Sequence, residues 1–217
     1  MMVYSDYYYQ LGLIDEDSKK YFQNVEDDIR KKIANKEWRE AAQLRLELLD
    51  VYFKNVSGFN YLYNLLYNEE PVRNGDYSLF VQQEAVRKAL HVGGAKYHSG
   101  REVSENLIED IMQSIEPWLV ELLASYRVLI YSGQLDLRIS YPTTLSFLRA
   151  MQWDAADEYR TAQRFPWHVG FKLAGYVKTA GNLTELLVRN AGHMVPTDQP
   201  KWAYYLISQF AANTRFH

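Results

Sequence analysis

RVLIYSGQLD, residues 127–136, is a short run of apolar residues that ends in a glycine turn and an aspartate. A run of this length that is apolar on both faces is typical of a buried parallel strand. Groups that do chemistry in an open parallel sheet gather beyond the carboxyl ends of its strands. Asp136 stands directly after this turn, so its position indicates a functional role.

The residues that follow alternate between helix and strand patterns. Pro142 is a plausible first residue of a helix. The segment KLAGYVKTAGNLTELLVRNAG, residues 172–192, predicts two strands around a turn at residues 179–182, and a last helix is predicted from about Pro200. This order predicts an α/β fold with a sheet of about three strands. Three strands do not supply the neighbours that the apolar strand needs on both sides, so we expect part of the sheet to be missing.

The first half of the chain has the apolar spacing of helices. An acidic stretch near Asp15 suits the start of a helix, and Ser104 is a candidate N-cap before an apolar stripe that Pro117 would kink. A turn is predicted at the Asn74-Gly75 pair. We therefore predict a mainly helical region over residues 1–125 and a sheet-containing region over residues 126–217. The predicted helices of the first region cover residues 22–33, 38–53, 79–92 and 104–122.

Composition narrows the classes of protein that fit. The 217 residues carry a formal net charge of −3, which gives no electrostatic case for nucleic acid or an anionic membrane as partner. The absence of cysteine removes disulfides, thiolate metal sites and cysteine nucleophiles. No apolar run approaches the roughly 18 residues of a membrane span. The first residues, MMVYSDYYYQ, do not have the pattern of a signal peptide, while Asn55 and Asn182 each begin a glycosylation sequon.

A second ionisable group follows the last predicted strand. His193 comes after Asn190-Ala191-Gly192, 57 residues beyond Asp136. If the two strands are parallel neighbours, both residues lie at the same edge of the sheet. There a buried carboxylate could orient the imidazole and stabilise its protonated form. Spacing alone leaves open whether the two residues form a catalytic pair or are unrelated turn and loop residues. Motifs for zinc, for nucleoside phosphates and for dinucleotides are absent, so no metal or cofactor is predicted.

The motifs VLIYSGQLDL, LAGYVK and NAGHMVPTDQP, in this order, resemble the serine carboxypeptidase family, in its vitellogenic carboxypeptidase-like branch. The resemblance covers essentially the whole chain. It implies the C-terminal part of an α/β-hydrolase fold with a helical insertion over the active site, and the removal of single residues from peptide C-termini. It further implies that Asp136 is the triad acid, that His193 is the triad base, and that Met194 lies beside the pocket for the released residue. Family resemblance predicts a secreted or lysosomal protein without metal or organic cofactor.

One part of the family's site has no counterpart in the sequence. The nucleophile of α/β-hydrolases lies on a Gly-x-Ser-x-Gly turn before the acid, and no such turn precedes Asp136. We therefore expect the chain to begin after the nucleophile, to be inactive alone, and to need a missing N-terminal part or a partner chain. A truncated product is favoured over a processed chain or an incomplete gene prediction. The alternatives are a non-catalytic truncated homologue or assembly partner, and an acyltransferase with the same triad. Arg138 departs from the apolar residue that the family more often has after the acid.

Overall fold

The computed structural model describes residues 3–71, 77–98 and 100–216. Its first part is helical. Helices α1 to α4 run along residues 4–57, and a π-helical segment, Glu47–Tyr52, joins α3 to α4 without a break. Asp15 caps α2, since its side chain accepts from the amide of Ser18 at 2.8 Å. The bounds are α1 Tyr4–Gln10, α2 Glu16–Ala34, α3 Trp38–Leu46, α4 Phe53–Ser57, α5 Tyr77–Val81, α6 Glu84–Ala89, α7 Arg101–Asn106 and α8 Glu116–Ser125.

Two helix predictions in this part are wrong. The helix expected over residues 79–92 is divided into α5 and α6, and the one expected over residues 104–122 is divided into α7 and α8 by turns. Gly100, not Ser104, precedes α7, and Pro117 lies in the first turn of α8, where it starts the helix instead of kinking it. The apolar stripe faces solvent, with Trp118 69% exposed. The turn predicted at Asn74-Gly75 lies outside the described residues.

A four-stranded mixed sheet forms the second part, and its strand order is β1-β4-β3-β2. Strand β1 runs parallel to β4, with Gly133 opposite Val188, and the other neighbours are antiparallel. The α/β prediction is confirmed. The bounds are β1 Val128–Gly133, β2 Phe165–Val169, β3 Lys172–Ala180 and β4 Leu183–Val188.

Strand β2 corrects the expectation of about three strands. It lies at the edge of the sheet and has β3 as its neighbour on one side only. Pro166 has no main-chain N–H to donate, and it is tolerated there because no strand on the other side needs one. Its pairing with β3 shifts register between Trp167 and His168. A proline and a register shift in five residues disturb the alternation that identifies a strand in sequence.

Helices cover both faces of the sheet. Helices α8, α9 and α10 pack on one face around Leu148, Met151 and Leu183, and α12 packs on the other around Trp167 and Leu206. A third core cluster lies among α1, α2, the π-helical segment and α4 and includes Leu137 from the turn after β1. The remaining bounds are α9 Tyr141–Ala150, α10 Ala156–Thr161, α11 Val195–Asp198 and α12 Pro200–Ala211.

Candidate active site

The turns that follow β1 and β4 are tied together at the carboxyl edge of the sheet. Gln134 donates its amide to the carbonyl of Val188 at 2.9 Å, and Leu135 donates to Ala191 at 2.8 Å. A Cβ on Gly133 would lie 2.0 Å from the carbonyl oxygen of Gly192, so the two turns approach as closely as glycine permits. The parallel pairing of the strands thus brings the acid and the base predicted from sequence to one place.

Asp136 and His193 form a hydrogen-bonded pair. Nδ1 of His193 lies 2.8 Å from Oδ2 of Asp136. The aspartate is only 4% exposed, and its Oδ1 accepts from the main-chain amides of Arg138 at 2.8 Å and Ile139 at 2.9 Å. With Asp136 ionised, Nδ1 carries the proton of the shared hydrogen bond, and Nε2 becomes the nitrogen that can accept a proton from a reacting group.

The loop that carries His193 is held by the segment between α4 and α5. The amide of His193 donates to the carbonyl oxygen of Tyr63 at 2.6 Å. Oδ2 of Asp198 accepts from the amide of Gly192 at 2.7 Å and from Nδ2 of Asn64 at 2.9 Å. Asp198 therefore links the histidine loop to the helical part of the chain through two hydrogen bonds.

Tyr63 is a site residue that sequence reasoning missed. Its ring centroid lies 4.6 Å from that of His193, and the planes are inclined by 37°. The only sequence signal is that Tyr63 belongs to an aromatic-rich loop, which does not say what the ring contacts. Met194 adjoins His193 at the start of α11 and is 39% exposed. Its part in binding a released residue remains a prediction.

The acid loop, residues 136–140, is held by contacts with the helical part of the chain. Leu137 is fully buried in the helical cluster, and its amide donates to the carbonyl of Leu62 at 3.1 Å. Arg138 forms an ion pair with Asp50 in the π-helical segment at 2.7 Å. The charge of Arg138 is thus compensated by a partner in the helical part of the chain.

Ser132 and the asparagines of the two predicted glycosylation sequons lie outside the acid–base pair. The hydroxyl of Ser132 on β1 donates to that of Thr144 in α9 at 3.3 Å. Asn55 is exposed on α4. Asn182 is exposed in the turn between β3 and β4, where its Nδ2 donates to the carbonyl of Leu123 at 2.9 Å. Glycosylation of the two asparagines stays a prediction.

Metal-ligand clusters and membrane-spanning helices are both absent from the described residues. Residues 3–71, 77–98 and 100–216 contain no group of three or more histidine and carboxylate side chains placed to share a metal ion. Over the same ranges, no helix combines the length and apolarity that a membrane crossing requires.

Comparison with known proteins points in one direction. A family model described as serine carboxypeptidase matches residues 2–213. The chain is 45% identical to the venom serine carboxypeptidase of Apis mellifera over 222 residues, covering 98% of this chain and 48% of that protein. It is 41% identical to the vitellogenic carboxypeptidase of Aedes aegypti over 220 residues, covering 95% of this chain and 46% of that protein. The resemblance identified from the sequence motifs is confirmed.

A solved structure supports the fold. The chain superposes on a prohormone-processing carboxypeptidase from Saccharomyces cerevisiae with a TM-score of 0.73 and 21% identity, covering 97% of this chain and 51% of that one. The prediction of an α/β-hydrolase fold is confirmed. The chain spans about half the length of the curated relatives it matches.

Proposed function

The chain belongs to the serine carboxypeptidase family, and from that premise we propose that it supplies the acid and the base of an active site that hydrolyses the C-terminal bond of peptides. The observation that carries this proposal is the 2.8 Å hydrogen bond between His193 and Asp136 at the carboxyl edge of the sheet. No metal or organic cofactor is needed for the chemistry of this pair.

In the proposed reaction, Nε2 of His193 removes the proton of a serine hydroxyl as that oxygen attacks the peptide carbonyl. The imidazolium then donates the proton to the departing amine, which leaves an acyl group on the serine. Water attacks this ester in the second half of the reaction, His193 again takes and returns a proton, and the serine is released. Asp136 stabilises the imidazolium and keeps the ring oriented. Two main-chain amides hold the carboxylate for this role.

We propose that the nucleophilic serine comes from a segment outside the 217 residues. The sequence contains no Gly-x-Ser-x-Gly turn, and the region matched in the relatives is 46% to 48% of their length. The sheet supports the same proposal, because β4 is the only strand of the described residues that pairs with β1. The outer edge of β1 is therefore available to a further strand.

The remaining roles follow from the family premise. We propose that Met194 contacts the residue released from the peptide, that the protein acts outside the cytosol in a secreted or lysosomal setting, and that Asn55 and Asn182 accept glycans. Expression in a secretory host, followed by enzymatic removal of N-glycans, tests the last point. Loss of the mass shift in Asn55→Gln or Asn182→Gln identifies the acceptor.

The decisive experiment supplies the missing segment. The chain is co-expressed with the part of the Apis mellifera relative that it does not match, and the purified assembly is compared with the chain alone. We expect the assembly, and not the chain alone, to hydrolyse a blocked dipeptide and to be labelled by a serine-directed fluorophosphonate. His193→Ala should abolish hydrolysis, whereas the control His168→Ala, at an exposed position on β2, should not.

Each alternative has its own outcome. Hydrolysis by the chain alone that is lost in His193→Ala would show that the nucleophile lies within the 217 residues. A folded assembly without turnover or labelling would favour a non-catalytic homologue. Transfer of the acyl group to an added alcohol, in preference to water, would favour an acyltransferase.

A further inference from the structure

Helix α1 lies directly against the acid loop, and three of its tyrosines donate hydrogen bonds to consecutive carbonyls of that loop. The hydroxyl of Tyr8 donates to the carbonyl of Leu137 at 2.7 Å. Tyr4 donates to Arg138 at 3.0 Å, and Tyr7 donates to Asp136 at 3.4 Å. The helix thus contacts the loop at the residue that carries the catalytic carboxylate and at the two that follow it.

Two of these carbonyls belong to the peptide units that hold the carboxylate. The carbonyl of Leu137 and the amide of Arg138 are parts of one planar unit, as are the carbonyl of Arg138 and the amide of Ile139. Both amides donate to Oδ1 of Asp136. Each hydroxyl binds the carbonyl of a rigid peptide unit, and the N–H of the same unit binds the carboxylate. The hydroxyl therefore helps to orient that N–H and also polarises it, which makes it a better donor.

The tyrosines themselves are held in place. Tyr4 and Tyr8 are buried, and the ring of Tyr8 stacks on Phe53 at 4.1 Å and meets the edge of Phe22 at 5.6 Å. Burial and the charge of Asp136 raise the pKa of Tyr7 to about 12, and burial raises the pKa of Tyr8 well above its usual value. The hydroxyls of Tyr7 and Tyr8 consequently keep their protons and remain donors.

Helix α1 is also fixed at its own start. The buried carboxylate of Glu26 in α2 accepts from the amides of Tyr4 at 2.6 Å and Ser5 at 3.1 Å, and from the hydroxyl of Ser5 at 3.0 Å. The first-turn amides of a helix have no partner within the helix, so this side chain satisfies two of them. A continuous set of hydrogen bonds runs from α2 through α1 to the acid loop.

We propose that Tyr4, Tyr7 and Tyr8 are positioning residues that hold the carboxylate of Asp136 against His193. The role rests on the proposed function, because it matters only if the pair transfers protons. None of the three hydroxyls touches the reacting atoms. They act through the main chain of residues 136–139, and the hydrogen-bond lengths rank their importance as Tyr8, then Tyr4, then Tyr7.

The test measures the hydrogen bond between His193 and Asp136 in the 217-residue chain, without substrate. Proton NMR of the wild-type chain is expected to show the Nδ1 proton of His193 far downfield, and Asp136→Ala should remove that signal. In Tyr8→Phe, the signal should move upfield and exchange with water on the order of tenfold faster, since one buried hydrogen bond is lost. Tyr4→Phe should have a smaller effect and Tyr7→Phe the smallest.

The matched control is Tyr9→Phe. Tyr9 lies on the same helix, half-buried, and its ring carries the ammonium of Lys19 at 4.7 Å. In this variant, the signal of the Nδ1 proton of His193 should have the same position and exchange rate as in the wild type. Urea unfolding of every variant measures global stability separately. If Tyr8→Phe does not fold, the proposal is judged on the other two variants: Tyr4→Phe should change the Nδ1 signal more than Tyr7→Phe does.

A merely structural role gives a different result. Tyr8→Phe and Tyr4→Phe would then lower the stability to urea while the Nδ1 signal stayed at its wild-type position and exchange rate, and this outcome would overturn the proposal. A wild-type chain without an Asp136-dependent signal would overturn it too. Failure of the assembled protein to hydrolyse peptides, with the signal responding as expected, would instead reject the proposed function and leave the positioning role standing.

Discussion

The main-chain amide of His193 donates a 2.6 Å hydrogen bond to the carbonyl oxygen of Tyr63, whose ring also lies over the imidazole. The base of the site is therefore placed by two elements. Strand β4 brings the loop to the sheet edge, and the segment between α4 and α5 determines where the histidine lies beyond it. Changes in that helical part should reach the site without altering the acid or the base.

Gly192→Ala should destabilise the chain and displace the histidine loop. An added Cβ would lie 2.0 Å from the carbonyl oxygen of Tyr63 and 2.8 Å from Cβ of Asn64, and neither the loop nor the main chain of Tyr63 can yield cheaply. Overpacking of this kind costs typically about 1–3 kcal/mol. Urea denaturation measures the loss in free energy of unfolding. Gly94→Ala is the control, because a Cβ at Gly94 meets nothing within 4 Å. Equal stability of the two variants would contradict the close approach.

Asp198→Ala should loosen the same loop by another route. The change leaves the amide of Gly192 and Nδ2 of Asn64 without their acceptor. An unsatisfied buried donor costs about 1–3 kcal/mol. Hydrogen exchange should become faster at the amides of Gly192 and His193, while amides of β3 keep their rates. Unchanged exchange at Gly192 would show that Asp198 does not hold the loop.

Asp136→Asn should abolish most activity of the assembled enzyme while leaving the fold intact. The amide side chain cannot stabilise the imidazolium and favours the wrong tautomer of His193, and in a serine-type triad this costs about four orders of magnitude in turnover. The measurement is the turnover number for a blocked dipeptide. Asp154→Asn, at an exposed position, is the control and should match the wild type. A loss below about tenfold for Asp136→Asn would reject its assignment as the acid.

Alkaline pH should destabilise the chain through Tyr141 and Tyr159. Both hydroxyls donate to the buried carboxylate of Glu185, and burial together with that hydrogen bond raises the pKa of both tyrosines above the usual 10.0. The unfolded chain releases these protons above a pH of about 10, whereas the folded chain retains them. Their contribution to stability is therefore complete below pH 10.0 and is lost as pH rises above it toward the folded pKa values.

Urea midpoints across this alkaline range check the prediction. The midpoint of the wild-type chain should fall as pH rises, and that of the double variant Tyr141→Phe, Tyr159→Phe should fall less steeply. Tyr204→Phe removes an exposed hydroxyl and should follow the wild-type slope. Parallel slopes for wild type and double variant would mean that other groups control alkaline unfolding.

The proximity of Asp136 and His193 could be predicted from the sequence because it depends on local signals. An apolar run ending at Gly133 and a second one ending before Gly192 locate two strand ends, and parallel pairing then brings Asp136 and His193 together. The tyrosine contacts of the acid loop could not be predicted in this way. Tyr8 and Leu137 are 129 positions apart, and periodicity carries no information on which distant carbonyl a hydroxyl meets.

The errors have equally local causes. The apolar residues over 104–122 have helical spacing, but this spacing does not show whether a single helix continues through the whole segment. Ile111 lies in the turns that separate α7 from α8, whereas Trp118 lies in α8, and both are exposed. Strand β2 was missed for the converse reason, since Pro166 and a register shift obscure a strand that pairing with β3 defines.

Six residues of β1 pair in register with six of β4, so the geometry of Asp136 and His193 does not depend on the length of the chain that connects them. Helices α9 and α10 and the β2–β3 hairpin all lie in that connection, yet Asp136 and His193 meet where the paired strands β1 and β4 end. Residues can therefore be added at the hairpin tip, where Gly170 turns the chain and Phe171 projects fully into solvent, without changing the distance between the two functional groups. An epitope tag or fluorescent reporter placed at this tip would follow the protein in cells and should leave the hydrogen bond between Asp136 and His193 intact.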